Sequence, residues 1–283
     1  MAVITISRGS FSYGQEIAEK TAKMLGYECV SREILLEAAH LFNVSEKKLI
    51  RSLNNAPNIL ERMVHGKERY LEYIKAALLE YARKGNVIYH GHAGHLLLTE
   101  IPQVLKVRII ADKDDRINLL QKRENITKEA AAEIIENEDK NRIQWTRYLY
   151  KTDIHDPKLY DIVINIGRLT IEDACGIICL AAKSRTYRVT EDSKQALDDL
   201  AIESRLRAAL QPLCDAEVFV KIGDVFVTVA AQKRKKSGYI SPALQRHIGE
   251  AYRDDLTRQI NEIALNIPGV NNVFCQIEMP YYT

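Results

Sequence analysis

The opening segment constrains the fold most, because it contains a short apolar run, a loop of small residues and an amphipathic helix in that order. Residues 2–6 have the length and the β-branched side chains of a buried strand. Residues 7–14 are rich in Gly and Ser, and apolar side chains then recur at helical spacing up to Gly26, a typical helix stop. This order directs backbone N–H groups and a helix N-terminus at an anion such as phosphate.

The loop departs from the phosphate-binding motif G-x-x-x-x-G-K-[ST]. Gly9 and Gly14 have the spacing of the outer glycines, but Gln15 and Glu16 stand where Lys and Ser/Thr follow. An ordinary turn between a strand and a helix is the alternative interpretation of these residues.

Length and composition favour a two-domain, non-membrane protein of the cytoplasm. The chain has 283 residues and a formal net charge of +2, so no global field recruits nucleic acid or membrane. No apolar run approaches the roughly 18 residues of a membrane span, and we find no signal-peptide pattern at the N-terminus. The five cysteines are scattered, which favours free thiols over disulfides. The sequence does not indicate an oligomeric state.

The first part of the chain alternates predicted strands with predicted helices. We predict strands at residues 2–6, 87–89, 104–110 and 161–166, separated by helical patterns that include residues 59–84 and a helix capped by Thr127. This alternation predicts an α/β fold, a parallel sheet with helices on both faces. Ligands in such sheets bind outside the carboxyl ends of the strands.

A second, smaller α+β domain is predicted after a polar boundary at residues 183–193. It contains a helix at 197–210, two strands around the turn signal Gly223-Asp224, a basic run at 233–236, a long helix and a strand at 270–279. The pattern is therefore α-β-β-α-β, with helices on one side of a small sheet.

Several segments in order resemble the cytidylate-kinase-like family of the P-loop nucleoside monophosphate kinase superfamily. They are Ile4-Thr-Ile-Ser-Arg8 with residues 14–18, Val87-Ile-Tyr-His-Gly91, Asp115-Arg-Ile117, Asp139-Lys-Asn-Arg142 and Tyr160-Asp-Ile-Val-Ile-Asn165. The resemblance covers residues 1–185 and implies a P-loop NTPase-type sheet, with phosphoryl transfer from ATP with Mg²⁺ to a nucleoside monophosphate such as CMP.

The resemblance also implies roles for individual residues. Arg8, Asp139 and Arg142 are the predicted catalytic residues, with Lys140 and Arg147 as further charges of a basic lid. The predicted nucleotide- and phosphate-binding residues are Ser10, Ser12, Gly14, Gln15, Arg32, His92 and Asp161. The alternative is an ordinary solvated ion pair on one helix face, either Asp139 with Arg142 or Glu138 with Arg142.

Four positions depart from the family pattern. Ser31 precedes Arg32, the candidate for the acceptor phosphate, where the family favours an acidic residue. Phe11 and Tyr13 replace two glycines of the loop, and we expect side chains there to oppose a positive φ or a close backbone approach. His92 stands where the family has Arg. It also belongs to a cluster with His90 and His95, which lacks a nearby Cys or carboxylate, so we predict no protein-held metal.

Residues 194–283 resemble a BON domain through Gly223-Asp-Val-Phe-Val-Thr-Val229 and Ile267-Pro-Gly-Val-Asn-Asn-Val273. This resemblance implies a module that binds a small ligand or a phospholipid. The basic run at 233–236 is a solvated loop or a contact to lipid headgroups or nucleic acid.

Three functions follow from these observations. The first is a nucleoside monophosphate kinase. The second is a catalytically degenerate nucleotide-binding sensor, supported by the missing lysine and by Phe11, Tyr13, Ser31 and His92. The third, a membrane- or RNA-associated scaffold, rests on the basic run alone.

Overall fold

The computed structural model describes residues 3–31, 33–54, 66–91, 93–99, 101–231, 233–234, 241–279 and 281–282. The chain divides into two compact units, Met1–Ser193 and Lys194–Thr283. Two of the predicted site residues, Arg32 and His92, lie outside the described residues, as does the start of the helix predicted at 59–84.

A five-stranded parallel sheet forms the centre of the first unit. Its strands are β1 (Val3–Arg8), β2 (Glu28–Val30), β3 (Val87–His90), β4 (Val104–Ala111) and β5 (Ile162–Ile166), in the order β2-β3-β1-β4-β5. β1 pairs in parallel with both β3 and β4, so the opening strand is central. The predicted parallel sheet is confirmed.

Helices cover both faces of this sheet. They are α1 (Gly14–Leu25), α2 (Glu33–Leu41), α3 (Glu46–Asn54), α4 (Gly66–Lys84), α5 (Gly94–Leu97), α6 (Lys113–Glu124), α7 (Lys128–Tyr150) and α8 (Ile171–Ala182). On one face, α1 and α8 pack on alternate strand residues such as Ile4 and Ile6. On the other, α5 approaches so closely that a Cβ at Gly94 would lie 2.4 Å from the ring of Tyr89.

The second unit has the predicted α-β-β-α-β order. It consists of α9 (Glu191–Leu210), β6 (Ala216–Lys221), β7 (Asp224–Val229), α10 (Pro242–Leu265) and β9 (Asn272–Ile277), with a two-stranded pairing of β8 (Lys233–Arg234) and β10 (Tyr281–Tyr282). β7 pairs antiparallel with β6 and parallel with β9. Apolar side chains of α9 and α10 form a core against one sheet face.

Two local predictions for this unit were wrong. The helix α9 begins at Glu191 and not at 197, because Thr190 and Ser193 cap each other's backbone N–H groups at its start. The hairpin turn lies at Ile222-Gly223, both with positive φ, and not at Gly223-Asp224. The Asp199 carboxylate accepts hydrogen bonds from both turn N–H groups and so stabilises the unusual conformation of Ile222.

Two histidines of the first unit are buried without full hydrogen bonding. Both ring nitrogens of His95 and the Nδ1 of His90 lack a partner within the described part of the chain. Burial lowers the pKa of His90 to about 4 and that of His95 to about 3. Both rings are therefore neutral at pH 7, and among the described residues no group of three His, Cys, Asp or Glu side chains could hold a metal.

We predict that stability falls as the pH drops from 6.5 towards 4. In this window the unfolded chain protonates the two histidines, whereas the folded chain keeps them neutral. Each histidine should therefore lower the free energy of unfolding by about 1–2 kcal/mol between pH 7 and pH 5. Urea unfolding of His95→Gln should show a weaker pH dependence than the wild type. The exposed His40→Gln is the control and should retain the wild-type slope. If the free energy of unfolding depended on pH equally in all three proteins, the conclusion that folded His95 stays neutral would be contradicted.

Candidate functional site

The loop between β1 and α1, residues 9–13, contains two residues in the left-handed backbone conformation that glycine favours, although neither is a glycine. Phe11 has φ 57° and Tyr13 has φ 62°. The left-handed region costs a residue with a Cβ about 1–2 kcal/mol. The expectation that these side chains exclude a positive φ was therefore wrong. The physical reason lies in their packing: Phe11 contacts apolar residues of α6 and α7, and Tyr13 packs on the main core.

Gly14 is required by the close approach of Arg8. A Cβ at position 14 would lie 2.7 Å from the Cβ and 2.9 Å from the Cδ of Arg8. The arginine that ends β1 therefore passes directly over the first residue of α1. This contact fixes the Arg8 side chain beside the helix N-terminus.

Ser12 holds the loop on the sheet. Its buried hydroxyl donates to the carbonyl oxygens of Gly9, at 2.9 Å, and Ile109, at 3.2 Å. The Gly9 N–H also donates to Ile109 O, at 3.1 Å. The hydroxyl predicted to contact phosphate thus shapes the loop through backbone contacts.

The loop and the end of β1 are also bound by three side chains of the helices α6 and α7. We call these side chains, Arg116, Asp139 and Arg142, the latch. Arg116 donates from Nε to Ser10 O, at 2.6 Å, and from Nη2 to Asp139 Oδ2, at 2.7 Å. The Ser10 hydroxyl donates to Asp139 Oδ1, at 3.1 Å, and Arg142 Nη1 donates to Arg8 O, at 2.6 Å. The loop is therefore held by charged groups on two helices.

The latch shows which predicted residues meet and which one was missed. Arg8, Ser10, Asp139 and Arg142 lie together, as predicted. Asp139 is paired with Arg116, however, and the ion-pair partner of Arg142 is Glu138, at 3.8 Å. Arg116 was noted only within a family-like segment, and its position after the carboxyl end of β4 was the signal that could have identified it.

A cavity of about 500 Å³ opens beside the loop and the first turn of α1. It is lined by the donors Arg8, Gln15, Arg123 and Arg142, the acids Glu16, Glu19 and Glu138, and the apolar side chains of Phe11, Tyr13 and Leu119. Burial lowers the pKa of Arg8 and brings that of Arg142 to about 10, so both guanidinium groups remain charged at pH 7. Three glutamates balance the charge of the three arginines in this lining, so the donors that an anion could use are the individual guanidinium groups and the N-terminus of α1.

A second cavity of about 210 Å³ shares two of these arginines. Its lining includes Arg8 and Arg142 together with Arg108, Arg116 and His155. Arg108 is largely buried and donates to Ile154 O, at 2.6 Å, which fixes its guanidinium. With four arginines against the single carboxylate of Asp139, this smaller lining is cationic, and Arg8 and Arg142 face both cavities.

Asp161 and Arg147 are not brought to this site. The Asp161 carboxylate accepts a hydrogen bond from Lys106 N, at 2.8 Å. Asp161 directly precedes β5, so this bond extends the pairing of β4 and β5 at the amino ends of the strands, away from the loop. Arg147 forms an exposed ion pair with Asp153, at 3.2 Å. Gln15 lines the larger cavity and donates to Glu19, at 2.9 Å.

Comparison with known proteins assigns the family. A profile described as "Cytidylate kinase-like family" matches residues 3–168. The chain belongs to this family. It is 29% identical over 172 residues to the cytidylate kinase of Ignicoccus hospitalis, which covers 58% of this chain and 90% of that protein. With the cytidylate kinase of Methanocaldococcus jannaschii it shares 31% identity over 113 residues, 39% of this chain and 63% of that one.

A solved structure shows the same fold. An uncharacterized protein from Eubacterium ventriosum superposes with a TM-score of 0.51 at 20% identity and covers 65% of this chain and 100% of its own length. The family's kinase-like, nucleotide-binding fold thus corresponds to the first unit. Within the described residues, no helix combines the length and the apolar character that crossing a membrane requires.

We predict that Gly14→Ala destabilises the protein by about 1–3 kcal/mol, because the new methyl group overlaps the Arg8 side chain. The control is Gly176→Ala in α8, where a Cβ meets nothing within 4 Å and should add up to about 1 kcal/mol of helix stability. Urea unfolding measures both changes. Equal effects of the two substitutions would contradict the close approach.

Arg116→Ala should lower the free energy of unfolding by about 1–3 kcal/mol, because Asp139 Oδ2 and the Ser10 carbonyl lose the donor they share, although the Ser10 hydroxyl still donates to Asp139 Oδ1. It should also accelerate hydrogen exchange at the Gly9 and Ser10 amides. The control is Arg258→Ala, which removes an exposed arginine ion-paired to Asp255 and should change the free energy of unfolding by less than about 0.5 kcal/mol. Unchanged exchange in the loop would show that the latch does not hold it.

Proposed function

We propose that the first unit transfers a phosphoryl group from ATP to a nucleoside monophosphate, with CMP as the first acceptor to test. The observation that carries this proposal is that Arg8 and Arg142 line both cavities. A phosphoryl group passing between a donor and an acceptor needs positive charge that faces both. The names of the curated relatives support the choice of CMP.

The larger cavity suits the triphosphate of ATP. The first turn of α1 lines it, and Arg8, Arg123 and Arg142 supply donors for several phosphate oxygens. The smaller cavity, with the fixed Arg108, then takes the acceptor phosphate. Arg8 and Arg142 are the proposed catalytic residues, because they neutralise charge that develops between the two sites.

The residues around the loop have positioning roles in this proposal. Asp139 holds Ser10 and Arg116, while Ser12 and Gly14 set the path of the backbone. Gln15 lines the triphosphate cavity. Arg32 stays a prediction for the acceptor phosphate and His92 for a weakened phosphate contact. The hydrogen bond from Lys106 N to Asp161 favours a structural role for that carboxylate.

The donor set also fits Mg²⁺ held mainly by ATP. Glu16 and Glu138 line the larger cavity and offer the carboxylate oxygens that Mg²⁺ prefers. Mg²⁺ usually keeps several waters and is held by substrate phosphates with one or two carboxylates. When bound, it would neutralise phosphate charge beside the arginines.

A nucleotide-binding sensor without turnover is the second candidate. Gln15 and Glu16 replace the motif's lysine and hydroxyl residue, and the Asp139 carboxylate is bound to Ser10 of the loop. In either case the second unit is proposed to be a BON-like module, of residues 194–283, for a small ligand or phospholipid.

The test is a phosphoryl-transfer assay with ATP, Mg²⁺ and CMP, UMP, AMP or GMP as acceptor. We expect turnover with at least one pyrimidine monophosphate. Arg123→Ala should raise the KM for ATP about tenfold, because the exposed arginine contributes a phosphate donor. Its neighbour Lys122 lines neither cavity, so Lys122→Ala should retain the wild-type KM.

The outcomes separate the two candidates. ATP binding without transfer to any acceptor would favour the sensor. Neither binding nor transfer would contradict both.

A further inference from the structure

A stripe of three phenylalanines crosses the small sheet of the second unit. Phe219, Phe226 and Phe274 lie directly opposite one another on β6, β7 and β9. Neighbouring ring centroids are 6.1 Å and 5.1 Å apart. The three side chains are 57%, 42% and 50% exposed.

This stripe lies on the sheet face that α9 and α10 do not cover. The alternate residues of the same strands, such as Val218, Val225 and Val227, point into the core with the helices. Burying a phenylalanine side chain is worth about 1.5–3 kcal/mol relative to leaving it exposed. A contiguous exposed aromatic stripe of this kind marks an interaction surface.

The polar rows on either side of the stripe identify the partner. One row consists of Glu217, Thr228 and Gln276, and the other of Lys221, Asp224 and Asn272. Consider a two-fold axis that lies midway between two facing sheets, parallel to them and perpendicular to their strands. It places each row over the opposite row of a second sheet, with each strand facing its own copy.

This arrangement makes the surface complementary to itself. Glu217 of one copy faces Lys221 of the other, and the same pair forms a second time by symmetry. Gln276 faces Asn272, Thr228 faces Asp224, and each phenylalanine meets its counterpart. A two-fold axis along the strands would instead place Asp224 against Asp224, so the charges select the first arrangement.

We propose that this face, the Phe219–Phe226–Phe274 stripe with its two polar rows, is a homodimer interface that pairs with a second copy of the chain. Three strands about 4.8 Å apart and five residues at about 3.3 Å rise give a patch near 14 × 16 Å. Such a patch, about 220 Å² per copy, is well below the roughly 800 Å² per partner of a standard specific interface, so the dimer is weak and reversible and forms only with increasing concentration.

Sedimentation velocity of the full chain over a concentration series tests the proposal. The wild type should show a reversible shift from monomer to dimer. Glu217→Lys alone creates two Lys–Lys contacts, and Lys221→Glu alone creates two Glu–Glu contacts. Each single variant should therefore associate at least about tenfold more weakly than the wild type. Glu262→Lys, an exposed position on α10, which packs on the opposite face of the sheet, is the control and should dimerise like the wild type.

Two combinations distinguish this two-fold arrangement from general charge effects. The double variant Glu217→Lys/Lys221→Glu restores both pairs and should dimerise. An equimolar mixture of the two single variants should also form dimers, because each then meets an opposite charge. Far-ultraviolet circular dichroism checks that every variant is folded.

A wild type that is monomeric up to about 500 µM would overturn the proposal, as would dimers that neither single variant weakens. A second result would also overturn it. In that result the wild type stays monomeric and sediments with phosphatidylcholine–phosphatidylserine vesicles, and Phe226→Ser abolishes this vesicle binding.

Discussion

The Asp139 carboxylate is the group on which the site depends. It accepts hydrogen bonds from Ser10 of the loop and from Arg116 of α6, and Arg116 in turn donates to the Ser10 carbonyl. The Arg116 side chain is only 13% exposed, so removal of one partner leaves a poorly solvated charge and costs more than the loss of a surface ion pair. The loop that faces the larger cavity is therefore held by α6 and α7 as well as by β4.

This restraint explains how the loop retains a glycine-like path without glycines. Two residues with a Cβ in the left-handed region together cost about 2–4 kcal/mol. The buried contacts of Phe11 and Tyr13 offset part of that cost, and the Ser12 hydroxyl and the latch limit the alternatives open to the backbone. Phe11 and Tyr13 strain the loop and also line the larger cavity. The shape of the cavity and the conformation of the loop therefore depend on the same two side chains.

The sequence predicted the sheet and helices because their apolar periodicities reflect burial directly. The parallel strands and the cap at Thr127 follow from such local patterns, and both are confirmed. Long-range pairing was not accessible in this way. Asp139 lies closer in sequence to Arg142, yet its ion-pair partner is Arg116, which only the packing of α6 on α7 brings near. The position of the turn at Ile222 could not be predicted from local sequence either. The turn is stabilised by Asp199, which lies on α9, more than twenty residues earlier in the chain.

The central claim is that the cavity beside the loop binds the phosphates of a nucleotide. Isothermal titration of ATP–Mg²⁺ into the wild type and Arg8→Ala tests it most directly, because Arg8 lines both cavities. The account predicts saturable binding with one site per chain in the wild type. It also predicts at least about tenfold weaker binding in folded Arg8→Ala, because a buried charge-assisted donor is lost. Absence of heat at millimolar ATP, or equal affinity in the two proteins, would contradict the account.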